Sequence, residues 1–209
     1  MNEVSIDISE FQKDALKEYG NIGSAHAATS LSQMVGRSIE MNVPDMELAP
    51  ISALRTIIDP DEPVAGVSFQ LLDGCNNTGY LYLLFPEASA YAISDLLMCQ
   101  EPGTTSAITE VEQSALMEVG NILVSTFSDA SAELLGITML PSPPTYTFDM
   151  ARKIMDTILN DLEKTTSNAI IFKTALTDET KCISSYLVLL PNPETLENIL
   201  NLLGAKVNG

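Results

Sequence analysis

The chain has 209 residues, enough for one large or two small domains. Hydrophobic residues at 45% and charged residues at 18% exclude intrinsic disorder, collagen and coiled coil. Ten Lys and Arg against 28 Asp and Glu give a net charge of −18, which leaves no basic footprint for nucleic acid or an anionic membrane.

The first ten residues lack the basic and apolar regions of a signal peptide, and the apolar runs 81–85 and 186–190 are too short to cross a bilayer. A cytoplasmic protein is expected. Cys75, Cys99 and Cys182 are widely spaced and His26 is the single histidine, so neither a zinc site nor a disulfide framework is expected. The cysteines read as small buried hydrophobes, and His26, on the apolar side of its helix, as a buried hydrogen-bonded residue rather than a catalytic one.

In chain order, the pattern predicts a helix over 9–35 with Gly36 as its stop. An extended crossing over 41–46 containing Pro44 follows, then a short helical stretch over 51–58. Strands over 64–72 and 80–85, joined by a turn at 73–77, lead to a helix over 87–98. Gly103 to Ser106 is too short to be a flexible interdomain linker. The same order then recurs: helix 109–135 stopped by Gly136, an extended stretch 138–148, a longer amphipathic helix 150–162, strands 169–176 and 182–190 around a turn at 177–179, and a helix 193–203.

This recurrence is an internal repeat. Leu16-Lys17-Glu18-Tyr19-Gly20-Asn21-Ile22 aligns with Leu116-Met117-Glu118-Val119-Gly120-Asn121-Ile122 at an offset of 100, as do Gly36 with Gly136 and Pro44 with Pro144. The expectation is an α/β (α+β) fold in which two repeats, about 8–102 and 108–207, form one domain. Pseudo-twofold symmetry relates the repeats, whose helices pack on a shared central β-sheet.

Asp14, Glu18 and Asn21 are spaced i, i+4, i+7 and fall on one helical stripe, with Leu16, Tyr19, Ile22 and Gly23 opposite. Ser114, Glu118 and Asn121 repeat the stripe. It continues into small residues: Ser24, Ala25 and Ala28, then Ser125 and Ser128. Gly20 and Gly120 each cost about 1 kcal/mol mid-helix, which calls for a close neighbour. A lone Glu–Asn pair reads as a solvated face. Two copies, kept while Tyr19/Val119 and Gly23/Leu123 differ, point to a shared task. A carboxamide can donate and accept at once and so orient a water, while a carboxylate pairs with a partner's cation.

The pattern Asp/Ser-x3-Glu-x2-Asn-x22-Pro occurs as Asp14-Glu18-Asn21-Pro44 and as Ser114-Glu118-Asn121-Pro144. With it, nearly the whole chain resembles the CheC family of chemotaxis phosphatases, which includes CheX and FliY types. The resemblance implies hydrolysis of the aspartyl phosphate on the response regulator CheY. Glu18 and Glu118 would dock on the regulator's lysine, and Asn21 and Asn121 would position the attacking water. Asp14, Ser114, Pro44 and Pro144 would support the motif. No metal or cofactor of its own is implied, because Mg²⁺ sits in the CheY site. The resemblance also implies the receptor deamidase CheD as a partner, docking on the helix near Asp149, Met150, Ile154 and Ile158; packing of that apolar ridge on the sheet is the equal alternative. A non-catalytic adaptor for CheD or CheY is the competing function, and a flagellar switch fragment a weaker third.

Overall fold

A computed structural model of the chain describes residues 8–74, 76–162, 164–177 and 182–205. Residues 1–7, Cys75, the turn residues Asp178 and Glu179, and the last residues of the second repeat lie outside the described residues.

The two long helices, α1 (Glu10–Val35) and α3 (Glu110–Leu135), start and stop where short-range chemistry dictates. Ser9 and Thr109 are the N-caps, each closing a capping box with Gln12 or Glu112. Gly36 and Gly136 end the helices in the left-handed region, at φ 66° and 69°. Asp14 is exposed beyond the first turn, and Ser114 Oγ donates to the Glu110 carbonyl at 2.8 Å.

After α1 come β1 (Glu40–Pro50), a 3-10 turn (Ile51–Thr56), the hairpin β2 (Pro63–Asp73) and β3 (Asn76–Pro86), and α2 (Glu87–Leu97). After α3 come β4 (Leu140–Pro141), β5 (Thr145–Met150), α4 (Ala151–Leu162), the strands β6 (Asn168–Thr177) and β7 (Cys182–Pro191), and α5 (Pro193–Ala205). The expected order of elements holds in both halves. The first hairpin is tighter than expected, since Asp73 already pairs with Asn76.

All seven strands form one antiparallel sheet in the order β1-β6-β7-β3-β2-β4, with β5 also on β2. Exchanging the two halves of the chain reverses this order onto itself, with the pseudo-twofold axis between β3 and β7, where Leu83 faces Leu187. The first strand of each half is traded. β1 pairs with β6 of the second half, and β4 and β5 pair with β2 of the first.

The central strands alternate their side chains between two cores. Phe69, Leu81, Leu83, Phe172, Leu187 and Leu189 face α1, α3, α2 and α5, while Leu84, Ala169, Ile171, Val188 and Leu190 face the 3-10 turn and α4. Burial on both sides explains why these strands read as continuous apolar runs. Tyr19, Phe127 and Phe172 meet between α1, α3 and the sheet, the Tyr19 and Phe127 rings 4.7 Å apart. The Tyr19 hydroxyl is hydrogen-bonded to Ser131 Oγ, and burial pushes its phenol upward.

The mid-helix glycines are explained by this packing. A Cβ on Gly20 would lie 2.8 Å from Phe172 Cδ1, and one on Gly120 2.9 Å from Val67 Cγ1. The close neighbour is the sheet, and in each case a strand of the opposite half. Gly23 likewise admits Phe127, whose Cδ2 lies 3.3 Å from where a Cβ would be. The repeat-related residues invert these sizes, with Leu123 for Gly23 and Ala27 for Phe127.

Two expectations fail. His26 is exposed rather than buried, because it lies beside Ala25 on the flank of α1 turned away from the sheet. Cys99 and Cys182 are exposed free thiols rather than core residues, one just past α2 and the other at the start of β7. Among the described residues no helix is long and apolar enough to cross a membrane.

The connection between halves is tied down by Asp95, only 3% exposed, whose carboxylate accepts from the backbone of Gly103 at 2.6 Å and of Thr105 at 2.7 Å. Burial raises its pKa, but the hydrogen bonds from Thr105 and Gly103 outweigh this and leave it lowered. Stability from a depressed carboxyl pKa is present above the unfolded value and is lost as pH falls through the folded one. Urea unfolding should therefore show wild type more stable than Asp95→Asn at neutral pH, with the difference shrinking as pH falls through the folded pKa of Asp95; a difference that does not change with pH would contradict this role. Gly20→Ala and Gly120→Ala gain up to about 1 kcal/mol of helix propensity but lose roughly 1–3 kcal/mol to overpacking. Denaturant midpoints should fall in both, and a rise in either would refute the close packing.

Candidate active site

The motif residues lie where the helical spacing places them. Glu18 and Glu118 are exposed on the outer faces of α1 and α3, and Asn21 and Asn121 are half-buried one turn on. Tyr19 contacts both Phe127 and Ser131, and Gly23 contacts Phe127. The two helices therefore run antiparallel, and the pairs belong to opposite ends of the helix couple. Among the described residues neither glutamate has an ion pair or a side-chain hydrogen bond. Their carboxylates are available to a partner.

Beyond the asparagine, the expected stripe of small residues is only partly surface. Ala25 and Ser125 are exposed, whereas Ser24, Ala28 and Ser128 are buried. Phe11 and Val111 were not singled out by the sequence reading. At 39% and 61% exposure, they stand at repeat-related positions a turn before Asp14 and Ser114. Their signal was the heptad-like spacing 11, 14, 18, 21 and its copy at an offset of 100.

The long gap to the proline has a physical basis in the first half. Between Asn42 and Asp45 the pairing of β1 with β6 shifts by one residue, so Val43 and Pro44 form a bulge. Pro44 has no N–H, which suits a bulge on an edge strand. The N–H of Val43 donates to Asn21 Oδ1 at 2.9 Å, and Lys17 Nζ donates to the Pro44 carbonyl at 2.9 Å. Because a backbone N–H can only donate, the amide oxygen of Asn21 must face Val43, and its NH₂ group remains for other partners.

The second half repeats the bulge without the bond. The register steps from Leu71/Pro141 to Ser68/Thr145, again one extra residue, and Ser142-Pro143-Pro144 spans the step. Pro143 stands where Val43 stands and has no N–H, and Met117 replaces Lys17. Among the described residues Asn121 has no side-chain hydrogen-bond partner.

The α4 ridge is resolved in favour of packing. Ile154 and Ile158 are 6% and 3% exposed, and with Met155, Leu159 and Leu162 they cover the second face of the sheet. Asp149 and Met150 end β5, where Asp149 accepts from Lys153 Nζ at 2.9 Å. Lys153 holds its carboxyl below the usual range. Ile154 and Ile158 are therefore taken up by the core, whereas Asp149 and Met150 are only half-buried.

Loss of the Asn21 carboxamide strands the Val43 N–H, which costs roughly 1–3 kcal/mol, whereas Asn121 has no bond to lose. Urea unfolding should show Asn21→Ala clearly below wild type and Asn121→Ala close to it; equal losses would contradict the difference between the two corners.

The CheC-like family model matches residues 11–48 and 111–147, the long helix and the following extended stretch of each half. The chain is 29% identical over 205 residues to the CheY-P phosphatase CheC of Bacillus subtilis, covering 96% of this chain and 97% of that protein. It is 24% identical over 139 residues to the flagellar motor switch phosphatase FliY of the same organism, covering 66% of this chain and 36% of FliY. In fold it is similar to Thermotoga maritima FliY, with a TM-score of 0.78 at 22% identity, covering 96% of this chain and 100% of that one. The family model is thus matched once in each half, over the long helix and the strand that follows it.

Proposed function

We propose that the chain is a phosphatase that hydrolyses the aspartyl phosphate of the response regulator CheY. The observation that carries this reading is the duplicated pair on α1 and α3 of an exposed glutamate, unpartnered among the described residues, and a half-buried asparagine. Its setting in a chain resembling a CheY-P phosphatase adds to it.

The chemistry divides between two proteins. Glu18 and Glu118 pair with a lysine beside the regulator's phosphoaspartate, a charge-assisted contact that fixes the approach. The asparagine NH₂ and carbonyl then orient a water for attack on phosphorus. The P–O bond to the aspartate breaks, the carboxylate stays on the regulator, and inorganic phosphate leaves. Mg²⁺ in this reading belongs to the regulator, so the chain contributes placement alone. Placement of a reactant is worth several kcal/mol, and an amide that orients water is how the GTPase glutamine acts. Phe11 and Val111 add an apolar contact at the start of each stripe. CheD remains a candidate partner, whose contact would use Asp149, Met150 and the exposed face of α4, such as Arg152 and Asp156, rather than Ile154 and Ile158.

The decay of phosphorylated CheY tests the reading. Wild type should accelerate it, and Asn21→Ala/Asn121→Ala should lower that acceleration on the order of 10²-fold with folding and CheY binding intact. Binding without acceleration by wild type would make the chain an adaptor instead. Phe11→Ala and Val111→Ala should raise KM for CheY-phosphate a few-fold and leave kcat in place, as expected for contacts equal in ground and transition states.

A further inference from the structure

We infer that the two sites work unequally and that the backbone N–H of Val43 sets the difference. It acts as a positioning group for Asn21, and Pro143 removes its counterpart from Asn121. This rests on the phosphatase reading and deepens it.

Three observations support the inference. Asn21 Oδ1 accepts from Val43 N at 2.9 Å, so one rotamer of the amide is held with its NH₂ outward. The bulge that presents this N–H recurs in the second half with the same single extra residue. At the repeat-related position the chain carries Pro143, which cannot donate. Lys17 ties the same corner through the Pro44 carbonyl, and Met117 cannot. The Glu–Asn pairs themselves are alike, with Glu18 and Glu118 both exposed and Asn21 and Asn121 both half-buried, while Asp14 is replaced by Ser114 in the second copy.

An amide must be stilled before it can orient a water. Where the fold has already stilled it, docking need not do so, and the gain appears in turnover. Ordering one side chain corresponds to about a two- to tenfold effect. The second lone pair of Asn21 Oδ1 stays free to accept from the water, so the anchor does not consume the group it positions.

The test uses the full chain and phosphorylated CheY. With Asn121→Ala, only the first site works; with Asn21→Ala, only the second. The first-site protein should show a kcat about two- to tenfold above the second-site protein at similar KM. Adding Pro143→Ala, an exposed position between β4 and β5, should raise kcat of the second-site protein towards that of the first. The same change should do nothing in the double asparagine variant. A readout independent of activity is amide hydrogen exchange: the Val43 N–H should be protected in wild type and exchange faster in Asn21→Ala. Unchanged Val43 exchange, or a second-site protein as fast as the first with Pro143→Ala silent, would overturn the inference while leaving the phosphatase reading standing. If wild type does not accelerate decay at all while Val43 is protected, the phosphatase reading fails and the unequal catalysis built on it goes with it.

Discussion

The structure depends on an exchange: each half of the chain gives its first strand to the other half's hairpin. β1 completes β6 and β7, β4 and β5 complete β2, and the halves meet along β3 and β7. The long helices follow the exchanged strands, which is why Gly20 lies over Phe172 and Gly120 over Val67 and Phe69. A repeat taken alone would leave a long helix without its sheet and a two-stranded ribbon without its edge, and isolated hairpins are marginal in water. The symmetry therefore comes from two interlocked units, and the outer faces of α1 and α3 are displayed as a consequence of how their inner faces are buried.

The link from this architecture to the site is the corner after each long helix. The exchanged strand must leave the helix and join a foreign partner, and it does so through a bulge that frees backbone groups from the ladder. At Val43 the freed N–H is captured by Asn21, so the same side chain that faces solvent also closes the first corner. This accounts for the 22-residue gap between asparagine and proline in that half. Pro44 removes one N–H from the bulge, and Asn21 satisfies the other.

Much of this was legible in the sequence, for definable reasons. Helix limits follow from Ser9, Thr109, Gly36 and Gly136, whose effects are local, and strand positions from apolar runs bounded by turns. The polar stripe follows from the period of 3.6 residues. Strand order was not legible, because pairing across the exchange joins segments distant in the chain with no local signature. His26 was misplaced because a wheel assigns a flank residue to either side. The ridge of Met150, Ile154, Ile158 and Leu162 suits a partner or the sheet equally well, and only the second core shows that the sheet claims Ile154, Ile158 and Leu162. The Asn21–Val43 bond was hidden for the same reason as the strand order.

Fold stability alone cannot account for the duplicated motif. The cores of the two halves have diverged, with Gly23 against Phe127 where the related positions carry Leu123 and Ala27, so internal packing tolerates change as long as volume is conserved. Among the described residues Glu18 and Glu118 have no ion-pair or hydrogen-bond partner, and exposed carboxylates without partners contribute little to folding. Asn21 has a structural reason to be asparagine in its bond to Val43. Asn121 has none, because Pro143 has removed the donor it would serve. An amide that the fold does not use, at the position where its repeat-related twin is used, is best explained by what lies outside the chain. The second asparagine, the less well held of the two, is thus the stronger sign that this face of the protein exists to meet a partner.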